Sequence, residues 1–181
     1  MGLDPIRAAR RLAEVFADEP ELILACVRGT PPSSRGEAQQ VLSAARQALV
    51  LRPRYADLYF FAAHAAVVAN EPDAAAGLLA QALELNPTYR DARVLAGRVA
   101  LLRQRVEEAR AHLSLALASG ADYPDVHMLL GQASERVQDW PQARAAYQRA
   151  LTLNSNLHAA RAALATLPSG GADGVCHELP A

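Results

Sequence analysis

One pentapeptide is written three times at a fixed interval: PRYAD at 53–57, PTYRD at 87–91 and, more loosely, ADYPD at 121–125. Each copy begins 34 residues after the last. This period constrains the chain more than any other feature. A unit of that length is one supersecondary element, which buries its apolar face only by stacking on its neighbours. It also removes the pentapeptide from consideration as a catalytic motif, because a catalytic constellation is assembled once.

The interval organises the residues between the copies as well. From Gly97 it reaches Ala63 behind and Gly131 ahead, with Gly29 and Ala165 one step further out. Ala75, Ala109 and Ala143 form a second column, with Val41 upstream, and Ala82, Ala116 and Ala150 a third, with Ala48 upstream. Leu83, Leu117 and Leu151 follow, continued by Leu49, while Leu79, Leu113 and Tyr147 make a column of large residues. Small aligns with small and large with large. That is the signature of helix-on-helix packing, in which a small residue of the first helix faces a small residue of the second and large residues fill the grooves.

Composition points the same way. Alanine supplies 40 of the 181 residues beside abundant leucine, both strong helix formers, and β-branched runs are scarce, so an all-α fold is expected. Proline would stop the second helix of each unit, since it lacks a donor and clashes with the preceding turn. Asp57, Asp91 and Asp125 then fall in the first turn of the next helix, where a carboxylate complements the helix dipole. On this reading the pentapeptide is the hinge between one helical hairpin and the next.

The stretches AAAGLLAQALELNP (74–87), DWPQARAAYQRALTLN (139–154) and, more loosely, EEARAHLSLALASG (107–120) resemble the tetratricopeptide repeat (TPR) family. The resemblance implies a right-handed α-solenoid of helical hairpins, with three full repeats at 56–89, 90–123 and 124–157. A degenerate repeat precedes them within an N-terminal region of 1–55, a single capping helix follows at 158–168, and 169–181 forms a flexible tail without periodicity. The family's aromatic early in the first helix appears as Tyr59 but becomes Arg93 and His127, and the closing proline gives way to Ala121 and Ser155. TPPSS (30–34) must end the first helix of the degenerate unit early, and Asp4 with Pro5 suits the start of a further helix near 5–17.

Several function classes fall away. The formal charge is −1, and all 18 basic residues are arginines interleaved with acids, which is a solvated surface rather than a nucleic-acid stripe. Cys26 and Cys176 share no CxxC spacing, so neither a disulfide framework nor a zinc site is written, and a reduced, cytoplasmic setting is expected. The opening 20 residues are too charged for a signal peptide, and no apolar run reaches the ~18 residues that membrane insertion requires. No two of the five histidines stand four apart in helical metal-site register; His127 takes the slot of a semi-buried aromatic, and CHE at 176–178 is at most a weak ligand set. No phosphate loop, nucleophile elbow or acid pair appears. The chain is therefore expected to have no catalytic residues, no metal and no cofactor, and Trp140 is expected to pack between helices.

Function is expected in the groove that the resemblance implies, where the first helices of TPR hairpins line a concave surface that receives a partner. Carried over by slot, that surface presents Phe60, His64, Val67 and Val68, then Val94, Arg98, Leu101 and Leu102, then Met128, Gln132 and Glu135. Phe60, Val94 and Met128 stand where the chaperone-tail-binding branch of the family carries cations, so a clamp for a chaperone tail is not implied. An apolar stripe with a few polar groups suits an amphipathic helix or extended peptide of another protein. Phe60 is expected to lie on this face without a core partner. The rival readings are self-association through the sparsely charged terminal helix HAARAALATL, with Ala162 and Leu164 outward, and a chaperone role towards a secreted protein.

Overall fold

The computed structural model describes Pro32 and residues 34–168, and every regular element among them is an α-helix. The helices are α1 (Arg35–Leu51), α2 (Ala56–Val68), α3 (Pro72–Leu85), α4 (Arg90–Leu102), α5 (Val106–Ala118), α6 (Pro124–Arg136), α7 (Trp140–Leu153) and α8 (His158–Thr166). The chain forms two compact units, one ending at Ala121 with α1–α5 and one beginning at Asp122 with α6–α8. The helix expected near 5–17 and the tail at 169–181 lie outside the described residues, as do Cys26, Cys176 and Gly29.

Local chemistry sets the helix ends. Ser34 caps α1 in a reciprocal box: its hydroxyl accepts from the Glu37 N–H while the Glu37 carboxylate accepts from the Ser34 N–H, both at 3.3 Å. Pro53 and Pro87 follow α1 and α3 within two residues, at the expected hinge positions. Where proline is absent, other devices end the helix. After α5, Gly120 turns left-handed (φ 88°) and hands its N–H to Leu117 O, while Ala121 N–H reaches Ala116 O. After α7, the Asn154 side chain accepts from Asn156 N–H at 3.0 Å, a turn that Asn86 also makes with Thr88 N–H beside Pro87. Asp57, Asp91 and Asp125 each stand in the first turn of α2, α4 and α6.

Inside each hairpin the turn repeats with equal regularity. Asn70, Gln104 and Gln138, spaced 34 apart, all adopt positive φ (62°, 59° and 60°). In each, the next residue's N–H bonds a carbonyl of the preceding helix: Glu71 to Ala66, Arg105 to Ala100 and Asp139 to Ser134, at 2.8–2.9 Å. This closes the orphan carbonyls of the first helix in a Schellman-type cap built without glycine.

In the first unit each helix packs on the next in sequence, and α2 also touches α4. The core is rich in alanine: Ala63, Ala75 and Ala82 are wholly buried there, around Leu58 and Leu79. Buried methyl groups let the helix backbones approach closely, and dispersion contacts accumulate along the whole interface. The glycine column has a different partner from the one expected. A Cβ on Gly97 would stand 2.6 Å from Leu113 Cγ, whereas the Ala109 carbonyl is 3.4 Å away. The small residue of the first helix thus seats the large residue of the second. Ala165, one step beyond the column, is exposed on α8.

In the second unit α6 packs on α7, and α7 on α8. Gly131 lies under the Tyr147 ring, where any Cβ would overlap it. Tyr147 is 1% exposed and clusters with Ala143 and Leu167, against which Met128, Trp140, Ala163 and Leu164 pack. Trp140 is therefore a packing residue.

Candidate protein-binding face

Side-by-side placement of α2 and α4 brings the expected groove residues of the first unit onto neighbouring helices. Phe60, four residues into α2, is half-buried. Its ring meets Phe61 at 5.2 Å in an edge arrangement and Tyr89 at 5.1 Å, tilted by 43°. The expectation that this ring lacks a partner is corrected here, because the tyrosine of the second hinge copy supplies one. Tyr89 is the residue that slot arithmetic overlooks, and its signal is the recurring tyrosine itself.

Val67 is likewise packed on the alanine-rich core, and Val68, His64 and Val94 are half-buried. Leu101, at 5% exposure, belongs to the core rather than to a receptor surface. It stands four residues after Gly97 and shares that glycine's inward face. Leu102, one residue on, is turned outward at 56% exposure.

Arg98 is exposed and makes no hydrogen bond or ion pair among the described residues. Other arginines of this unit are engaged: Arg103 holds Asp73 at 2.7 Å, and Arg46 lies 3.8 Å from Glu71. The field of Arg98 reaches His64 one repeat earlier. Burial, and secondarily this positive charge, hold the His64 pKa below the ordinary imidazole value, so its ring is neutral at neutral pH. The face thus combines half-buried apolar side chains, exposed Leu102 and a cation with no ion pair among the described residues.

Within the second unit, most of the expected groove residues are engaged internally. Met128 turns into the Tyr147 cluster. Gln132 is exposed. Half-buried Glu135 accepts a hydrogen bond from the Tyr147 hydroxyl at 2.8 Å. Burial, aided by this carboxylate, drives the Tyr147 pKa upward from the ordinary phenol value. At the start of this unit Asp122 bonds the Arg149 guanidinium and, at 2.7 Å, His127 Nε2, an arrangement that draws the Asp122 pKa down, Arg149 foremost. On α8, Leu164 is half-buried against the Tyr147 cluster, so the outward apolar face expected for self-association reduces to small side chains such as Ala162.

Among the described residues no three His, Cys, Asp or Glu side chains are grouped to hold a metal ion, and no helix is long and apolar enough to cross a membrane.

Two tetratricopeptide repeat family models match the sequence, over residues 68–133 and 124–157. No curated protein sequence matches it. Among solved structures, MamA is 16% identical with a TM-score of 0.70, covering 86% of this chain and 79% of that one. YrrB, a TPR protein with an unusual peptide-binding site, is 27% identical with a TM-score of 0.63, covering 68% of this chain and 63% of that one. TTC0263, a thermophilic TPR protein of Thermus thermophilus, is 20% identical with a TM-score of 0.61, covering 90% and 96%. MamA and TTC0263 show likeness of fold alone. With its 34-residue period, its helical hairpins and these matches, the chain is a tetratricopeptide repeat protein.

Proposed function

We propose that the chain is a non-enzymatic protein-interaction module whose α2/α4 face receives an amphipathic helix or extended peptide of a partner. The single observation that carries this reading is Arg98, an exposed cation with no counter-charge among the described residues, standing on the same face as half-buried Phe60, His64, Val68 and Val94 and exposed Leu102. Apolar side chains of a ligand would be buried against these groups, and an acidic side chain would complete Arg98 through charge-assisted hydrogen bonds. The peptide-binding site of YrrB supports the same class of ligand.

The test is selection of binders from a randomised peptide library on the full chain, with affinities then measured by fluorescence anisotropy. Leu102→Asp should weaken selected peptides by roughly tenfold or more, since 1.4 kcal/mol is a factor of ten and burying a leucine is worth more. Arg98→Ala should weaken acidic peptides and spare neutral ones. Peptides that bind both variants as well as wild type would overturn the assignment to this face.

A further inference from the structure

On α5, His112 occupies the slot of Leu78, which lies 34 residues earlier on α3 and packs against the core. The imidazole is half-buried, and its Nδ1 is fully buried with no hydrogen-bond partner among the described residues. It borders a cavity of about 80 Å³ between α3, α4 and α5, whose walls are alanine, leucine and valine side chains apart from Glu108.

A neutral imidazole carries one proton, and its placement matters here. With the proton on Nε2, the buried Nδ1 is a bare acceptor. A second proton must go to Nδ1, which creates a buried donor with no acceptor bonded to it among the described residues and places charge beside mostly apolar walls. We infer that the junction of α3, α4 and α5 is an acid-sensitive joint, in which protonation of His112 at Nδ1 loosens the seating of α5.

The charged neighbours do not reverse this. Glu108, one turn earlier on α5, favours the proton, and Arg93 of α4 opposes it; α3 presents no charged group to the cavity. Burial is the largest of the three influences, and it sets the His112 pKa below the ordinary imidazole value. The unfolded chain therefore takes up this proton at a higher pH than the folded chain. Stability is complete above the unfolded-state value of about 6.5 and is lost as pH falls below it. His64 shifts in the same direction in the same unit, so the two contributions need separating. The inference stands whether or not the α2/α4 face binds a peptide.

Imidazole nitrogen–proton correlation spectra of the full chain, recorded from about pH 8 to about pH 5 across the ordinary imidazole value, read the tautomer and midpoint of His112 directly. The expected result is an Nε2–H tautomer with a midpoint below that of an unfolded-chain histidine. Urea unfolding followed by circular dichroism over the same range should show wild type losing more of its urea midpoint than His112→Leu, while His64→Leu keeps the His112 share of the loss. An Nδ1–H tautomer, a midpoint at or above the ordinary value, or parallel curves for wild type and His112→Leu would each overturn the inference. Should His112→Leu fail to fold, the wild-type spectra decide it.

Discussion

The α4–α5 hairpin of the first unit and the α6–α7 hairpin of the second solve one packing problem with different volumes. In the first, Gly97 seats Leu113; in the second, Gly131 seats Tyr147. The α2–α3 hairpin makes the milder choice of Ala63 and Leu79, both buried in one cluster. The three pairs thus step from Ala/Leu through Gly/Leu to Gly/Tyr, and the tyrosine occurs only opposite glycine. The tyrosine adds a demand that leucine does not make, because a buried hydroxyl needs a partner. Glu135 meets it at 2.8 Å. One repeat earlier the Glu135 slot holds Leu101, and the Tyr147 slot holds Leu113. The pair is apolar in one hairpin and hydrogen-bonded in the other, while the backbone pattern stays the same.

The comparison is most easily broken at its glycines. Gly131→Ala should cost about 1–3 kcal/mol by overpacking, and more than Gly97→Ala, because a rigid ring yields less than a leucine. Thermal or urea unfolding measures both. Adding Tyr147→Leu to Gly131→Ala recreates the arrangement of Ala63 and Leu79 and should restore part of the loss. A double variant no better than Gly131→Ala alone would show that the two slots are not coupled.

Tyr147→Phe sharpens the same contrast by removing only the hydroxyl. It should cost about 1 kcal/mol, since Glu135 keeps partial access to water once its donor is gone. The phenol also carries a pH signature. Its raised pKa contributes stability that is intact below the ordinary tyrosine value of about 10 and lost as pH rises above it. Ultraviolet titration should therefore show Tyr147 ionising only with alkaline unfolding, and Tyr147→Phe should lose less stability over that range than wild type. Ionisation of Tyr147 at the ordinary value in the folded chain would contradict its burial.

The smallest effect is expected where the two hairpins are most alike. Gln104 and Gln138 hold left-handed backbone at matching turns, a conformation that costs side-chain-bearing residues roughly 1–2 kcal/mol, partly offset by the greater entropy a glycine loses on folding. Gln104→Gly and Gln138→Gly should each stabilise by up to about 1 kcal/mol, and by similar amounts. Unequal gains would show that the hairpin turns differ in strain despite equal φ.

Much of this fold is legible in the sequence, for a local reason. Helical period and repeat period together state which face each residue takes, so the columns Ala75–Ala109–Ala143 and Ala82–Ala116–Ala150 are expected to be interior, and all six are wholly buried. The Asn70, Gln104 and Gln138 turn is written at the same interval yet escapes a reading of the sequence, because only asparagine among the three favours left-handed backbone and glutamine does not. The Ser34–Glu37 box is also written, three residues apart at the start of a helical run, but the neighbouring prolines are the louder signal there.

The receptor face is less legible. Slot arithmetic places Phe60, Leu101 and Leu102 together, but a slot records orientation on one helix and not what other helices bring against it. Tyr89 arrives from the next hinge to cover part of Phe60, and Leu101 is taken into the core while Leu102 beside it is left to solvent. The sequence by itself determined the repeat and the all-α class, because these follow from periodicity and helix propensity. Only the tertiary structure decided which small residue seats which large one, that Glu135 accepts from the Tyr147 hydroxyl, and that His112 Nδ1 has no partner among the described residues. Those outcomes depend on distances between side chains far apart along the chain, which no spacing within it specifies.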